Sequence, residues 1–192
     1  MIEKGLDVEP TIVDPWADDA RLREANAATR VPALVLDNKI PLTESLLIVQ
    51  WLEATRPAPQ WPSLYGKDLD RMEGILSRAG IALGAIDASV HTIITRKVTA
   101  PVLFDETPVG LRRRRTMIEG MQRLEAVASE MAVSDPSQQF PTLDQICAVV
   151  LFDYQHFRYG DQPWLPATPK LKQLSDSLRT RPSFEKTIPH IA

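Results

Sequence analysis

Residues 30–45 concentrate the chemistry of this chain: Arg30-Val31-Pro32-Ala33-Leu34-Val35-Leu36, then Asp37-Asn38-Lys39-Ile40-Pro41-Leu42, then Thr43-Glu44-Ser45. The pattern predicts a short strand, a tight turn, a second short strand and a helix that opens on an acid and a hydroxyl. Pro32 stands where a cis bond would turn extended backbone toward a ligand. Val31 would then leave its N–H and C=O open to pair with a peptide as a short strand. Glu44 and Ser45 occupy a helix mouth whose free N–H groups attract carboxylates. Ser45 would offer hydroxyl and amide to that carboxylate, and Glu44 would take a neighbouring ammonium. Together these residues suggest a pocket that grips a small peptide by its backbone and its acidic end. Read singly, they also fit a plain hairpin followed by a normally capped helix.

The elements that must hold these residues can be traced along the chain. Residues 1–5 resemble the last turn of a helix, with Gly5 as its left-handed stop. One turn cannot nucleate alone, since it fixes many dihedrals for few hydrogen bonds. Residues 6–13 alternate Leu6, Val8 and Ile12 with Asp7, Glu9 and Thr11, which predicts a half-buried strand, moved to a sheet edge by Pro10. Residues 16–25 carry a weak helical pattern. The hairpin occupies 31–36 and 40–42, with Asp37-Asn38 tolerating left-handed turn conformations. The helix over 43–55 is apolar around most of its circumference and is expected between two layers. Three prolines at 57, 59 and 62 then make a stiff connector.

Beyond the prolines the chain reads as helical. Residues 68–95 place Met72, Ile75, Leu76, Ala79, Leu83, Ile86, Val90 and Ile93 at helical spacing, and 110–131 repeat the pattern with Ile118, Met121, Leu124, Ala128 and Met131. Pro101 and Pro108 bracket a loop. Thr142 opens a third helix with Gln145 three residues on, a capping box. That helix is nearly all apolar over 146–152 and is expected at the centre of a bundle. Leu171, Leu174 and Leu178 mark a last helix.

Composition narrows the class. At 192 residues, 44% apolar and 24% charged with a net charge of −3, the chain can bury a substantial core and presents no basic face for nucleic acid. The basic run Arg112 to Arg115 is expected to be a solvated helix face. The single cysteine, Cys147, excludes an internal disulfide and falls in an apolar run that predicts an inert buried thiol. No segment has the length of a membrane span, and no basic, apolar leader opens the sequence, so a cytoplasmic protein without membrane partners is expected. His91, His156 and His190 lack ligand spacing, and no metal site is expected. Trp16, Trp51, Trp61 and Trp164 read as core or linker packing. Gly80 and Gly84 within one helix imply close packing or room for a ligand.

The order Val31-Pro32-Ala33-Leu34, Thr43-Glu44-Ser45, apolar helix, proline-rich linker, capping box at Thr142 and the ending Arg181-Pro182-Ser183-Phe184 with Pro189 resembles the glutathione S-transferase superfamily. Small bacterial members are the most similar, through residues 81–90 and Tyr154, Phe157 and Arg158. The resemblance implies an α+β two-domain fold: a truncated thioredoxin-like half over 1–56, a linker over 57–66 and an all-helical domain over 67–192. It implies glutathione as co-substrate. Val31 would pair with the cysteinyl backbone beside cis-Pro32, Glu44 and Ser45 would hold the γ-glutamyl end, and Arg30 would reach the glycine carboxylate. Asp87, with His91 one turn on, would border a pocket for a small hydrophobic electrophile. A homodimer is the family expectation.

Three departures from the family pattern stand out. The frequent Asn-Pro-x-Gly-Lys before Val-Pro is Asn26-Ala27-Ala28-Thr29-Arg30 here, and the capping box ends in Gln145 rather than an acid. The family's first strand and most of its first helix, about 15–20 residues, have no counterpart in this sequence. They carry the Ser, Tyr or Cys that stabilises the glutathione thiolate, so no catalytic residue can be named. Either the protein begins upstream of Met1, or it is a shortened relative without a thiol activator. The implied activity is conjugation of glutathione to a small electrophile in the full-length form. A glutathione-dependent isomerase or reductase, and a catalytically silent interaction module, are the alternatives.

Overall fold

Gly5, at φ +66°, stops a single turn of 3-10 helix at Ile2–Lys4, the left-handed termination expected there. A computed structural model of the chain describes residues 1–6, 8–66, 68–132 and 140–190. These divide into two units, Met1–Ser63 and Leu64–Ala192.

In the first unit the order is α1 (Ala20–Ala25), β1 (Ala33–Val35), β2 (Pro41–Thr43) and α2 (Ser45–Thr55). Asp19 caps α1, its carboxylate accepting from the Arg21 and Leu22 amides. The two strands form an antiparallel hairpin in the register Ala33↔Thr43, Leu34↔Leu42 and Val35↔Pro41. Its turn differs in detail from the sequence reading. The left-handed residue is Lys39, at φ +68°, while Asn38 supplies a side-chain carbonyl that accepts from the Ile40 amide at 3.1 Å.

Other expectations in this unit are corrected. Residues 8–13 form no strand: Val8 and Ile12 are exposed, and Pro10 offers no amide to a neighbour; Asp7 lies outside the described residues. The first helix spans six residues rather than ten, and Trp16 is exposed. Helix α2 buries Ile48 and Leu52 but leaves Leu46 and Leu47 exposed, so it is covered on one side only.

Lys4 escaped the sequence reading. Only 1% of its side chain is exposed, its ammonium donates to the carbonyls of Arg56 at 3.1 Å and Pro62 at 2.9 Å, and it pairs with Glu53 at 2.6 Å. A buried charge is tolerated only with such partners. It therefore ties the proline-rich segment to the first turn. The Trp61 ring lies so close over Gly5 that no Cβ fits there.

The second unit is helical: α3 (Leu69–Thr99), α4 (Pro108–Val127), α5 (Leu143–Tyr159), α6 (Pro169–Leu178) and α7 (Pro182–Glu185), with 3-10 turns at Phe104–Glu106 and Ala128–Met131. The central helix is α3, not α5, because α4 and α5 both pack along it. Past the buried Ile75 its buried face runs through Ala79, Ala82, Ala85, Ala88, Ser89 and Thr92 rather than through larger side chains, and Leu76 is exposed. Small residues let backbones approach. A Cβ on Gly120 of α4 would stand 2.6 Å from that of Ala85. Gly80 and Gly84, by contrast, face open space, so close packing is not their reason.

Polar clasps hold the remaining elements. The capping box forms as expected, Gln145 Oε1 accepting from the Thr142 amide at 2.8 Å. Buried Asp144 adds bonds from the Thr142 hydroxyl and from Arg78 Nε at 2.7 Å. Glu125 of α4 caps α6 from outside, its two oxygens each accepting at 2.9 Å from the amides of Lys170 and Leu171. The Arg112–Arg115 run is only partly a solvated face. Arg113 donates to Thr95 Oγ1 at 3.1 Å, and Arg114 donates to the Asp105 carbonyl at 3.1 Å. Arg96 grips the Asp105 carboxylate through two nitrogens, fixing the turn between α3 and α4. Cys147 is buried, and burial pushes its thiol up to about 12, which suits an inert side chain.

Candidate functional site

The strand register builds the site. Ala33 lies opposite Thr43, so the residues just outside the ladder, Pro32 and Glu44, are neighbours across its open end. The Val31–Pro32 peptide bond is cis, as the sequence reading expected. Glu44 is the N-cap of α2, with φ +64° and ψ 122°, and its side chain makes no capping bond. Instead its carboxylate lies 3.7 Å from Arg30 Nη1, both side chains being more than half exposed (59% and 51%). Ser45 follows as the first helical residue and is exposed, and the helical bonding starts with the Ile48 amide donating to the Glu44 carbonyl. Arg30, Val31, Pro32, Glu44 and Ser45 are thereby gathered at one end of the hairpin.

Chemically the cluster offers a cation, an anion and a helix mouth. Val31 is exposed. The start of α2 carries amides that its N-cap side chain leaves unbonded, and the helix dipole makes them receptive to a carboxylate. Glu44 faces Arg30, and a ligand bearing both an ammonium and a carboxylate could replace each in turn.

Residues 26–30 lead into this cluster, and Asn26 organises them. It is buried, accepts from the Ala28 amide at 3.0 Å through Oδ1, and donates to the Arg30 carbonyl at 2.8 Å through Nδ2. Thr29 between these bonds holds φ +50°, an uncommon conformation for a β-branched residue. Asn26 was read in the sequence only as the first residue of a departing motif. Its use as a turn former that bonds its own backbone was the available signal.

Asp87 and His91 lie in the second unit on α3, one turn apart, with His91 Nε2 3.2 Å from Asp87 Oδ1. Asp87 borders a groove of about 570 Å³ between α3 and α4, together with Gly84, Ala88, Val109, Arg112 and Thr116; His91 is not among its lining residues. Among the described residues no group of three His, Cys, Asp or Glu side chains is arranged to hold a metal ion, and no helix is long and apolar enough to cross a membrane.

Comparison with known proteins puts this geometry in context. Residues 1–55 match the family described as glutathione S-transferase, N-terminal domain. The Escherichia coli (strain K12) protein described as uncharacterized GST-like protein YibF is 24% identical over 189 residues, covering 98% of this chain and 90% of that protein. A probable maleylacetoacetate isomerase from Caenorhabditis elegans is 41% identical over 56 residues, 28% of this chain and 26% of that one. Among solved structures, a glutathione S-transferase from Methylobacterium radiotolerans in complex with glutathione sulfonate superimposes with a TM-score of 0.81 at 27% identity, covering all of this chain (100%) and 87% of that one. The architecture is therefore the α+β arrangement expected, a thioredoxin-like N-terminal unit followed by a helical one.

Proposed function

We propose, from the premise that this chain belongs to the glutathione S-transferase superfamily, that its residues 30–45 bind glutathione and serve transfer of that thiol to a small hydrophobic electrophile. Val31 pairs through its backbone with the cysteinyl residue beside Pro32. Glu44 takes the γ-glutamyl ammonium, and Ser45 with the mouth of α2 takes the adjoining carboxylate. Arg30 turns from Glu44 to the glycine carboxylate. Each side chain of the ion pair thus exchanges an exposed partner, worth about 0–1 kcal/mol, for a ligand charge.

The observation that carries this reading is the register Ala33↔Thr43, which sets Pro32 beside Glu44. The complex of the Methylobacterium relative with glutathione sulfonate supports the ligand class. In the transfer step the glutathione thiolate attacks the electrophile, and the five residues bind and orient the tripeptide for it. The groove beside Asp87, whose carboxylate His91 contacts from one turn on, receives the electrophile. The protein acts in the cytoplasm as a homodimer, in a detoxifying role.

The test is retention on immobilised glutathione. The wild-type chain is retained and eluted by free glutathione, and Glu44→Ala and Ser45→Ala each weaken retention by about tenfold or more, as expected for a hydrogen bond to a charged group. Unchanged retention of both variants refutes the pocket. A second reading, glutathione-dependent isomerisation of a small unsaturated acid, is favoured by the 41% identity over 56 residues to a probable maleylacetoacetate isomerase. It uses the same binding residues, and product analysis with such an acid against an alkylating electrophile separates the two.

A further inference from the structure

The residues that meet the ligand in this reading are all exposed, so something buried must fix where Arg30 and Val31 stand. Asn26 is that group. Its amide N–H donates to the Leu22 carbonyl at 2.8 Å, anchoring it to α1, and its own carbonyl accepts from the Thr29 amide at 2.8 Å. Its side chain then closes the loop from inside, holding the Ala28 amide and the Arg30 carbonyl at 3.0 and 2.8 Å. The partners dictate the amide's orientation, since an N–H must face oxygen and a carbonyl must face nitrogen. Only a short side chain with both a donor and an acceptor can make this clasp. Thr29 persists at φ +50° inside it, as strained residues do where surrounding bonds over-determine them.

We propose that Asn26 is the positioning residue for the glycyl end of the glutathione site, setting the Arg30 backbone and hence the reach of its guanidinium. This rests on the reading that Arg30 touches glutathione; the Asn26 side chain bonds Ala28 and Arg30 and neither Glu44 nor Ser45, which would take the γ-glutamyl end. Asn26→Asp keeps the acceptor for Ala28 but presents a carboxylate to the Arg30 carbonyl, releasing that end of the clasp.

The experiment titrates glutathione and γ-glutamylcysteine, which lacks the glycine, into the wild type, Asn26→Asp and Asn26→Ala, by calorimetry. The ratio of the two affinities on one preparation does not depend on how much of it is folded. The wild type prefers glutathione, and in both variants that preference falls by about tenfold, because Arg30 meets only the glycine carboxylate that γ-glutamylcysteine lacks. An unchanged preference in Asn26→Asp, with both ligands bound, overturns the role of Asn26 alone. Failure of the wild type to bind glutathione, or to distinguish the two ligands, overturns the site reading beneath it and this proposal together.

Discussion

Glu44 is held at φ +64° and ψ 122°, a backbone conformation that a residue with a Cβ adopts at a cost of about 1–3 kcal/mol. Such conformations persist where function needs them. Glycine is free of that cost, although it loses more chain entropy on folding. Glu44→Gly is therefore expected to raise stability by about 1 kcal/mol in chemical denaturation while weakening glutathione binding. Loss of both stability and binding would show that Glu44 is held there by its contacts alone. Asp105 gives a second test at this scale. The Arg96 hydrogen bond holds its carboxyl below the ordinary value of 3.8, against the opposing effect of partial burial, and the charges of Arg96 and Arg114 add to the depression. A depressed folded pKa contributes stability that is present above the unfolded value and lost as pH falls through the folded one. Acid titration of stability should thus show an additional loss below about pH 4, absent in Asp105→Asn, which should already be less stable at pH 7. Equal slopes in the two proteins would contradict the pairing.

The helices of the second unit meet along small residues, and this explains both what the sequence disclosed and what it concealed. Helical periodicity located α3, α4, α5 and α6 within a few residues, because their apolar spacing and the Thr142–Gln145 box are local signals. It misjudged which helix is central. Leucine and isoleucine dominate any hydrophobic stripe, whereas α3 is buried along Ala79, Ala82, Ala85 and Ala88, whose value lies in letting other backbones approach. Gly120→Ala should lower stability by about 1–3 kcal/mol, since its Cβ would stand 2.6 Å from that of Ala85. Gly80→Ala, on the same bundle but facing open space, should raise it by about 0.4–1 kcal/mol. Thermal or urea denaturation giving the two the same sign would refute the packing described. The first unit was less legible. Residues 8–13 alternate as a strand should, yet alternation makes a strand only where a partner edge accepts its hydrogen bonds. Lys4 is buried for partners at residues 53, 56 and 62, which no local pattern announces.

Across the whole molecule, the chain has the α+β fold expected, its first 55 residues match the glutathione S-transferase N-terminal domain, and the proposed site rests on residue types that the sequence shows directly. Proline, acid and hydroxyl at residues 32, 44 and 45 carry their chemistry in their types, and two short strands fix their spacing. What escaped was the support: Asn26 inside the loop, and the Arg30–Glu44 pairing that spans the open end of the hairpin. The groove between α3 and α4 is lined by Asp87 and not by His91. The central claim is that residues 30–32 and 44–45 hold the tripeptide. Titration of unlabelled glutathione into the 15N-labelled protein tests it most directly, through the backbone amide resonances. Saturable shifts are expected at Arg30, Val31, Ser45 and Leu46, with the first and last pairs moving at a common affinity. Saturable shifts elsewhere that leave these four amides unmoved, or no shifts at millimolar glutathione, would contradict it.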